Sequence, residues 1–453
     1  MLSYSVIDAA REEMAKDFRL LPDHYFADKN SRTFRFNNIQ RLYSRRPQTN
    51  SANEIRDNLA ALLDQPTLSF YAGVPWCEQI CHFCDLAFGV TTKNDRDKRQ
   101  RYLETLEMEL ELLKKHGAAG KVVKSIYFGG GTPTVLDDDQ FAFLLRSIIN
   151  GIKPSPGSSI TCEAAPSSLT SEKIAIMQDA GVTRLSSGLQ TIDDSIRSAQ
   201  HQLLSGQEAM RAIEASLGKF DVVNTDLIYG FPNETLDSWA RTVNEVSSMG
   251  IPSITLYRLE VRDRTANLRR FEKDSERFPE EFDSRLRYYI AKNILSDKGY
   301  VESPLGWWIK AESTKPSWEL HKQIWRNVTP YIGIGQGAWS QGPSFYYINS
   351  KLTKEWEEMV RTGEFPVKSY TRLREKDAFI FQFIRELRTY GGINLEVSKD
   401  TATQLGLGNQ VDKFVQQQCD WGLLSEESQG FSLTAAGKAL VHWIIDDFID
   451  ACA

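Results

Sequence analysis

Cys77, Cys81 and Cys84 in GVPWCEQICHFCD bring three thiols together within eight residues, half of the six cysteines in the chain. A C-x3-C-x2-C spacing is too tight to span separate elements, so one loop must present all three to one point. Structural zinc sites use four ligands in paired Cys or Cys/His sets. The only histidine inside this loop is His82, placed awkwardly between two of the cysteines. Three thiolates suit a [4Fe-4S] cluster instead, because clusters take four cysteine ligands and three leave one iron open. An open iron can coordinate a substrate or cofactor.

Other candidate chemistry follows at regular intervals. Gly129-Gly130-Gly131-Thr132-Pro133 lets the backbone approach a ligand closely, though a plain tight turn reads the same way. Glu163 ends an apolar run, where an unpaired carboxylate is costly to bury unless a ligand or neighbour bonds it. Arg184, Gln190 and Asp226 occupy similar places in TRLSSGLQ and NTDLIYGFPNET, with an internal Arg184–Asp226 ion pair as the alternative to ligand binding.

These residues require a scaffold that delivers them to one face. Strands are expected at 68–73, 124–128, 158–164, 183–188, 221–228 and 252–258, alternating with helices near 98–116, 139–150, 171–180, 207–217 and 236–249. Such alternation builds a parallel sheet with helices outside it. Closed into a TIM-like barrel, it carries its chemistry at the carboxyl ends of the strands, where each residue named above falls. Residues 1–65 read as an N-terminal extension, 66–370 as the barrel with its closing strands, and 371–453 as a separate C-terminal unit. In that unit, helices near 374–390, 398–406 and 410–421 precede a strand, a turn at Gln429-Gly430, a second strand and a helix from Thr434, a winged-helix-like pattern. Its helices carry no basic stripe, so a lid or docking role is expected rather than DNA binding. The extension holds Arg32, Arg35, Arg41, Arg45 and Arg46 among Phe34, Phe36 and Tyr43, either a solvated surface or an anion-binding wall.

The 453 residues carry a net charge of −6, which argues against a nucleic-acid partner. No apolar run reaches the roughly 18–20 residues that span a bilayer. The opening MLSYSVIDAAREEMAKDF lacks the apolar core of a signal peptide. Thiolates and an oxygen-sensitive cluster call for a reducing compartment, so a cytoplasmic monomer without membrane contact is expected.

The cysteine motif, with Phe83 before its last cysteine, resembles the radical S-adenosylmethionine (SAM) superfamily. YAGVPWCEQICHFC, IYFGGGTPT, GVTRLSSGLQ, TDLIYGFPNET and YIGIGQGAWS together resemble its oxygen-independent coproporphyrinogen III oxidase family, including the heme-chaperone branch. The likeness runs from about residue 65 to the C-terminus. It implies a partial (β/α)6 barrel, a cluster on Cys77, Cys81 and Cys84, and a small-molecule substrate. An electron donor such as flavodoxin or ferredoxin is implied too. It also implies SAM contacts from Tyr71, Phe83, Gly129 to Thr132, Glu163, Arg184, Gln190 and Asp226, with Tyr71, Glu163 and Asp226 taking part in catalysis. Some members hold two SAM molecules, and two per chain are expected here. There are two departures. The oxidase has a fourth cysteine two places after the third, where this chain has Leu86. An arginine expected about twelve residues after Gln190 is replaced by His201-Gln202. The loop SPLGWWIKAES, with Trp307 and Trp308, also differs. Three activities are compatible: methyl or cyclopropane carbon transfer from a second SAM, oxidative decarboxylation of a porphyrinogen, and heme binding as a chaperone. The first is the leading expectation.

Overall fold

Alternating apolar positions on six short segments give the computed structural model its central sheet. The structure describes residues 2–22, 25, 48–49, 55, 57, 59–60, 63–313, 330–342, 345–428 and 430–452. The arginine-rich stretch from Arg32 to Arg46 lies outside the described residues, as does Gln429 of the expected C-terminal turn.

Strands β1 (Thr67–Val74), β2 (Val122–Gly130), β3 (Ser159–Ala164), β4 (Arg184–Gln190), β5 (Val222–Tyr229) and β6 (Ser253–Arg258) pair in that order, all parallel. Their two faces differ in chemistry. On β1, Leu68, Phe70, Ala72 and Val74 are fully buried against the outer helices. The intervening Ser69 and Tyr71 point the other way, in register with Ser125 and Tyr127 of β2. The same alternation puts Glu163, Ser186, Asp226 and Tyr257 on the inner face, since side-chain direction repeats every second residue. The inside of this partial barrel is therefore polar and aromatic, whereas its outside is the apolar core.

Beyond β6 the sheet continues through β7 (Trp307–Lys310), antiparallel, so that Trp307 faces Thr255. On the other side β8 (Tyr331–Ile334) runs parallel to β1, and β9 (Trp339–Gln341) turns back antiparallel. The expected extension is part of this framework. Helix α1 (Leu2–Asp17) packs on α2 (Glu281–Asp297), Tyr289 donates to Asp17 at 2.8 Å, and Gln48–Thr49 pairs with Val367–Arg372 at the sheet edge.

The C-terminal segment forms helices over Glu375–Tyr390, Leu395–Gln404 and Gly408–Asp420, then a hairpin of Leu424–Glu427 with Gly430–Leu433. The final helix is divided at Leu440 into Ala435–Ala439 and Val441–Cys452, the first capped by the Thr434 hydroxyl. Phe383 and Phe448 stack at 3.8 Å in its core. Arg285 of α2 donates to the Ala439 carbonyl, and Trp443 donates to Glu281, which joins this unit to the barrel wall.

Candidate active site

The cysteine loop leaves β1 and is fastened in place by backbone contacts. Cys84 N–H donates to Cys81 O at 3.1 Å, and Thr91 N–H donates to Cys77 O at 3.0 Å. A short helix, Asp194–Ala199, is capped by Asp193, which accepts from Ser195 and Ile196. It delivers residues 199–202 to the loop. There His82 Nδ1 lies 2.9 Å from Ala199 O, His201 Nδ1 lies 3.1 Å from Ile80 O, and the two imidazoles stack at 5.1 Å with their planes nearly parallel. Asp85 accepts from Arg262 at 3.1 Å, and Arg262 also pairs with Glu260.

The three cysteines line one pocket with Gly130, Gly131, Thr132, Glu163, Gln190 and Asp226. Burial pushes the Cys77 thiol up to about 11 and the Cys81 thiol up to about 12, and the neighbouring thiols add to both shifts. Thiolates are thus unfavourable here without a compensating cation. Among the described residues no three His, Cys, Asp or Glu side chains converge tightly enough for a single ion. Three sulfurs lining one pocket fit a polynuclear cluster, where each meets its own iron. The donor set therefore suits a [4Fe-4S] group on Cys77, Cys81 and Cys84. Leu86, at the place of the oxidase's fourth cysteine, is 60 % exposed at the mouth.

The glycine run serves the protein's own packing as well as a ligand. A Cβ on Gly131 would lie 2.4 Å from Trp76 O, and one on Gly129 would lie 2.7 Å from Glu163 Oε2. Gly130 has φ +110°, a conformation that suits glycine. The tight turn and the ligand approach are therefore one feature: glycines bring β2 against the carboxylate.

Glu163 accepts from the Tyr127 hydroxyl at 2.6 Å, and burial pushes its carboxyl up to about 7. Asp226 accepts from Asn224 Nδ2 at 2.9 Å and is also raised, chiefly by burial, against the opposing pull of Arg184. Arg184 lies with its guanidinium 5.4 Å from the Trp307 ring, and it acts electrostatically on both carboxylates. Tyr71 stands 6.0 Å from Tyr127 and 6.0 Å from Tyr331 between ring centres.

Gln190 adopts φ +62°, a strained backbone for a non-glycine residue at a strand end. Its side-chain oxygen accepts from Gln202 Nε2 at 2.7 Å. Gln202 thus occupies the position of the expected arginine and pairs with Gln190. Arg197, the nearest cation in sequence, is spent on the carbonyls of Leu189, Thr191 and Leu204. Phe83 packs on Phe231 at 5.7 Å within an apolar cluster that includes Ile196 and Leu259, while also bordering the pocket.

All of the sequence-predicted strand residues of the site share the inner face of the barrel, but Arg184, expected at a carboxyl end, opens β4 at its amino end, so it reaches the lumen carboxylates from below rather than lining the cysteine pocket. Tyr127, Tyr257 and Tyr331 were not anticipated. Their signal was the strand alternation itself, which places them on the same face as Tyr71 and Asp226.

The Radical SAM superfamily model matches residues 71–246. The heme chaperone HemW of Bacillus subtilis is 25 % identical over 387 residues, covering 84 % of this chain and 99 % of its own. The oxygen-independent coproporphyrinogen III oxidase of Pseudomonas aeruginosa is 25 % identical over 414 residues, covering 86 % and 87 %. The solved coproporphyrinogen III oxidase of Escherichia coli, described as a radical SAM enzyme, superposes with a TM-score of 0.75 at 21 % identity, over 87 % of this chain and 93 % of that one. These names are of an oxidase and a chaperone; none refers to methyl transfer. Among the described residues no helix is long and apolar enough to cross a membrane. With its cysteine loop, glycine turn and barrel in the same order, the chain carries a radical SAM domain and is similar, over most of its length, to the oxygen-independent coproporphyrinogen III oxidases and the related heme chaperones.

Proposed function

We propose that this radical SAM enzyme uses two SAM molecules: one cleaved to a 5′-deoxyadenosyl radical, the other giving its methyl carbon to an sp2 carbon of a small molecule. Bound to Cys77, Cys81 and Cys84, the cluster would supply the electron that breaks the first sulfonium bond. The chain's own residues then bind and orient. Gly130 to Thr132 offer backbone groups at the cluster side, and the Gln190–Gln202 pair closes the neighbouring wall. Glu163 and Asp226 present carboxylates to the lumen beside Tyr71, Tyr127, Tyr331 and Tyr257.

That acidic, tyrosine-walled lumen is the observation that carries the reading. A sulfonium is a permanent cation, and cations are attracted both to carboxylates and to the faces of aromatic rings. The absence of a cysteine at Leu86, where the oxidase has its fourth, is in keeping with a different use of the radical.

A second reading is favoured by the names of the relatives: oxidative decarboxylation of a porphyrinogen, with heme binding as its non-catalytic variant. Product analysis separates the readings. Carbon transfer predicts S-adenosylhomocysteine accumulating in step with 5′-deoxyadenosine and substrate turnover. Decarboxylation predicts carbon dioxide and no S-adenosylhomocysteine; that result would replace the proposal. Heme capture without either nucleoside product would favour the chaperone.

A further inference from the structure

Two rings at the β6–β7 side of the barrel, Tyr257 and Trp307, face the open lumen. Tyr257 stands on the inner face of β6, opposite Ile228 of β5, and its hydroxyl feels the charges of Asp226, Glu163 and Arg184. It is nevertheless 45 % accessible, so the space before it is open although the strand is interior. Trp307 pairs with Thr255 and therefore points to the same side. It is half-buried, backed by Val222 and Ile309, with the Arg184 guanidinium 5.4 Å from its ring. The β6–β7 side of the barrel is thus faced by an aromatic surface rather than by the aliphatic layers that fill a closed barrel.

Resting on the two-SAM reading above, we propose that the acceptor is a flat, conjugated molecule bound against Tyr257 and Trp307, bearing hydrogen-bond donors or positive charge at its edge and few carboxylates. Flatness follows from the platform: large ring faces contribute most when covered by another ring. Conjugation also suits the reaction, because it delocalises the unpaired electron left when a carbon radical adds to an sp2 centre. The charge preference follows from the surroundings. Carboxylates that act on Tyr257 are Glu163, Asp226 and Glu260; the cations are Arg184, which faces both lumen carboxylates, and Arg388, which also faces Glu260. A tetracarboxylate would bring four more negative charges into this balance. A cationic ring edge would be drawn toward Glu163 and Asp226, whose charges reach Tyr257.

The test uses binding alone, so it does not depend on turnover. The emission of 9-aminoacridine, a flat aromatic cation, is titrated with the anaerobically reconstituted full chain in the presence of SAM. Coproporphyrin III, a flat tetracarboxylate, is titrated in parallel. We expect saturable quenching of the acridine, binding at least about tenfold tighter than that of the porphyrin. We also expect about tenfold weaker acridine binding in Trp307→Leu, in Tyr257→Leu, or in both. Tyr257 is accessible, so its variant should retain the cluster absorption that reports an intact site, whatever Trp307→Leu does to packing on Val222. Tighter porphyrin binding, no acridine binding, or unchanged acridine binding in both variants would overturn the inference. Methyl-deuterium transfer between SAM molecules is scored separately. If that transfer persists while the porphyrin binds tighter, the acceptor class falls and the two-SAM reading stands. If acridine binds as expected without any transfer, the reading of the reaction falls and the acceptor class stands.

Discussion

Glu109 and Glu163 are both buried and both pushed up to about 7, chiefly by burial, yet the sequence around them does opposite things with the carboxylate. Glu109, on the helix Arg96–Leu113, is saturated by the protein. It accepts from Gly335 N–H at 2.8 Å, Trp356 Nε1 at 2.8 Å and Asn349 Nδ2 at 2.7 Å. These bonds brace the GIGQGAWS segment behind β1. Glu163 sits in the lumen with the Tyr127 hydroxyl as its side-chain donor, at the edge of the cysteine pocket. A shifted carboxylate is therefore no evidence of function by itself; what separates the two is whether the remaining lone pairs face protein or open space.

The largest effect expected from this contrast lies on the cluster side of Glu163. Cys81→Ala should abolish both the broad visible absorption of the reconstituted protein and all SAM cleavage, measured as 5′-deoxyadenosine by chromatography. Retained cleavage would remove Cys81 from the ligand set. Next, Glu163→Gln should lower SAM cleavage by about 10²-fold, the scale of losing a preorganised charged contact, with iron content preserved. The same variant has a stability signature. A carboxyl raised in the folded state stabilises the fold below its unfolded value of about 4.5, and that contribution is lost as pH rises through about 7. The unfolding free energy from urea titration at pH 8 should therefore be higher for Glu163→Gln than for wild type, by roughly 1–3 kcal/mol, and the two should converge near pH 4.5. A parallel offset at both pH values would contradict the burial argument.

Glu109→Leu should behave in the reverse manner. Three donors lose their acceptor, costing about 3 kcal/mol in urea unfolding, while cleavage per folded chain stays close to wild type. If cleavage collapsed while stability held, the distinction between bracing and ligand-facing glutamates would fail. The smallest effect is expected at Arg262→Ala. Its pair with Asp85 is partly exposed, so stability should change by less than about 1 kcal/mol. Iron loss to a chelator should nevertheless quicken, because Asp85 directly follows Cys84.

The barrel was legible because each inner strand carries its own punctuation: apolar alternation ending at Gly129, Glu163, Gln190 or Asp226. The sequence expected β1 at 68–73, and it spans Thr67–Val74; β5, expected at 221–228, spans Val222–Tyr229. The helix Asp194–Ala199 was not anticipated, because six residues give too short a period to recognise. With it went the His82–His201 stack, which depends on two loops meeting in space. The docking of α1 on α2 was missed for a similar reason: Tyr289 and Asp17 are 272 residues apart. Nor did local pattern show that Gln202 would turn toward Gln190, since that contact follows from the left-handed backbone at Gln190.

The most direct test of the central claim is anaerobic turnover with SAM carrying a trideuterated methyl group, followed by mass analysis of the nucleoside products. The account predicts deuterium in 5′-deoxyadenosine, because the radical takes hydrogen from the methyl of the second SAM, with S-adenosylhomocysteine formed alongside. Unlabelled 5′-deoxyadenosine in a reaction that makes product would contradict it.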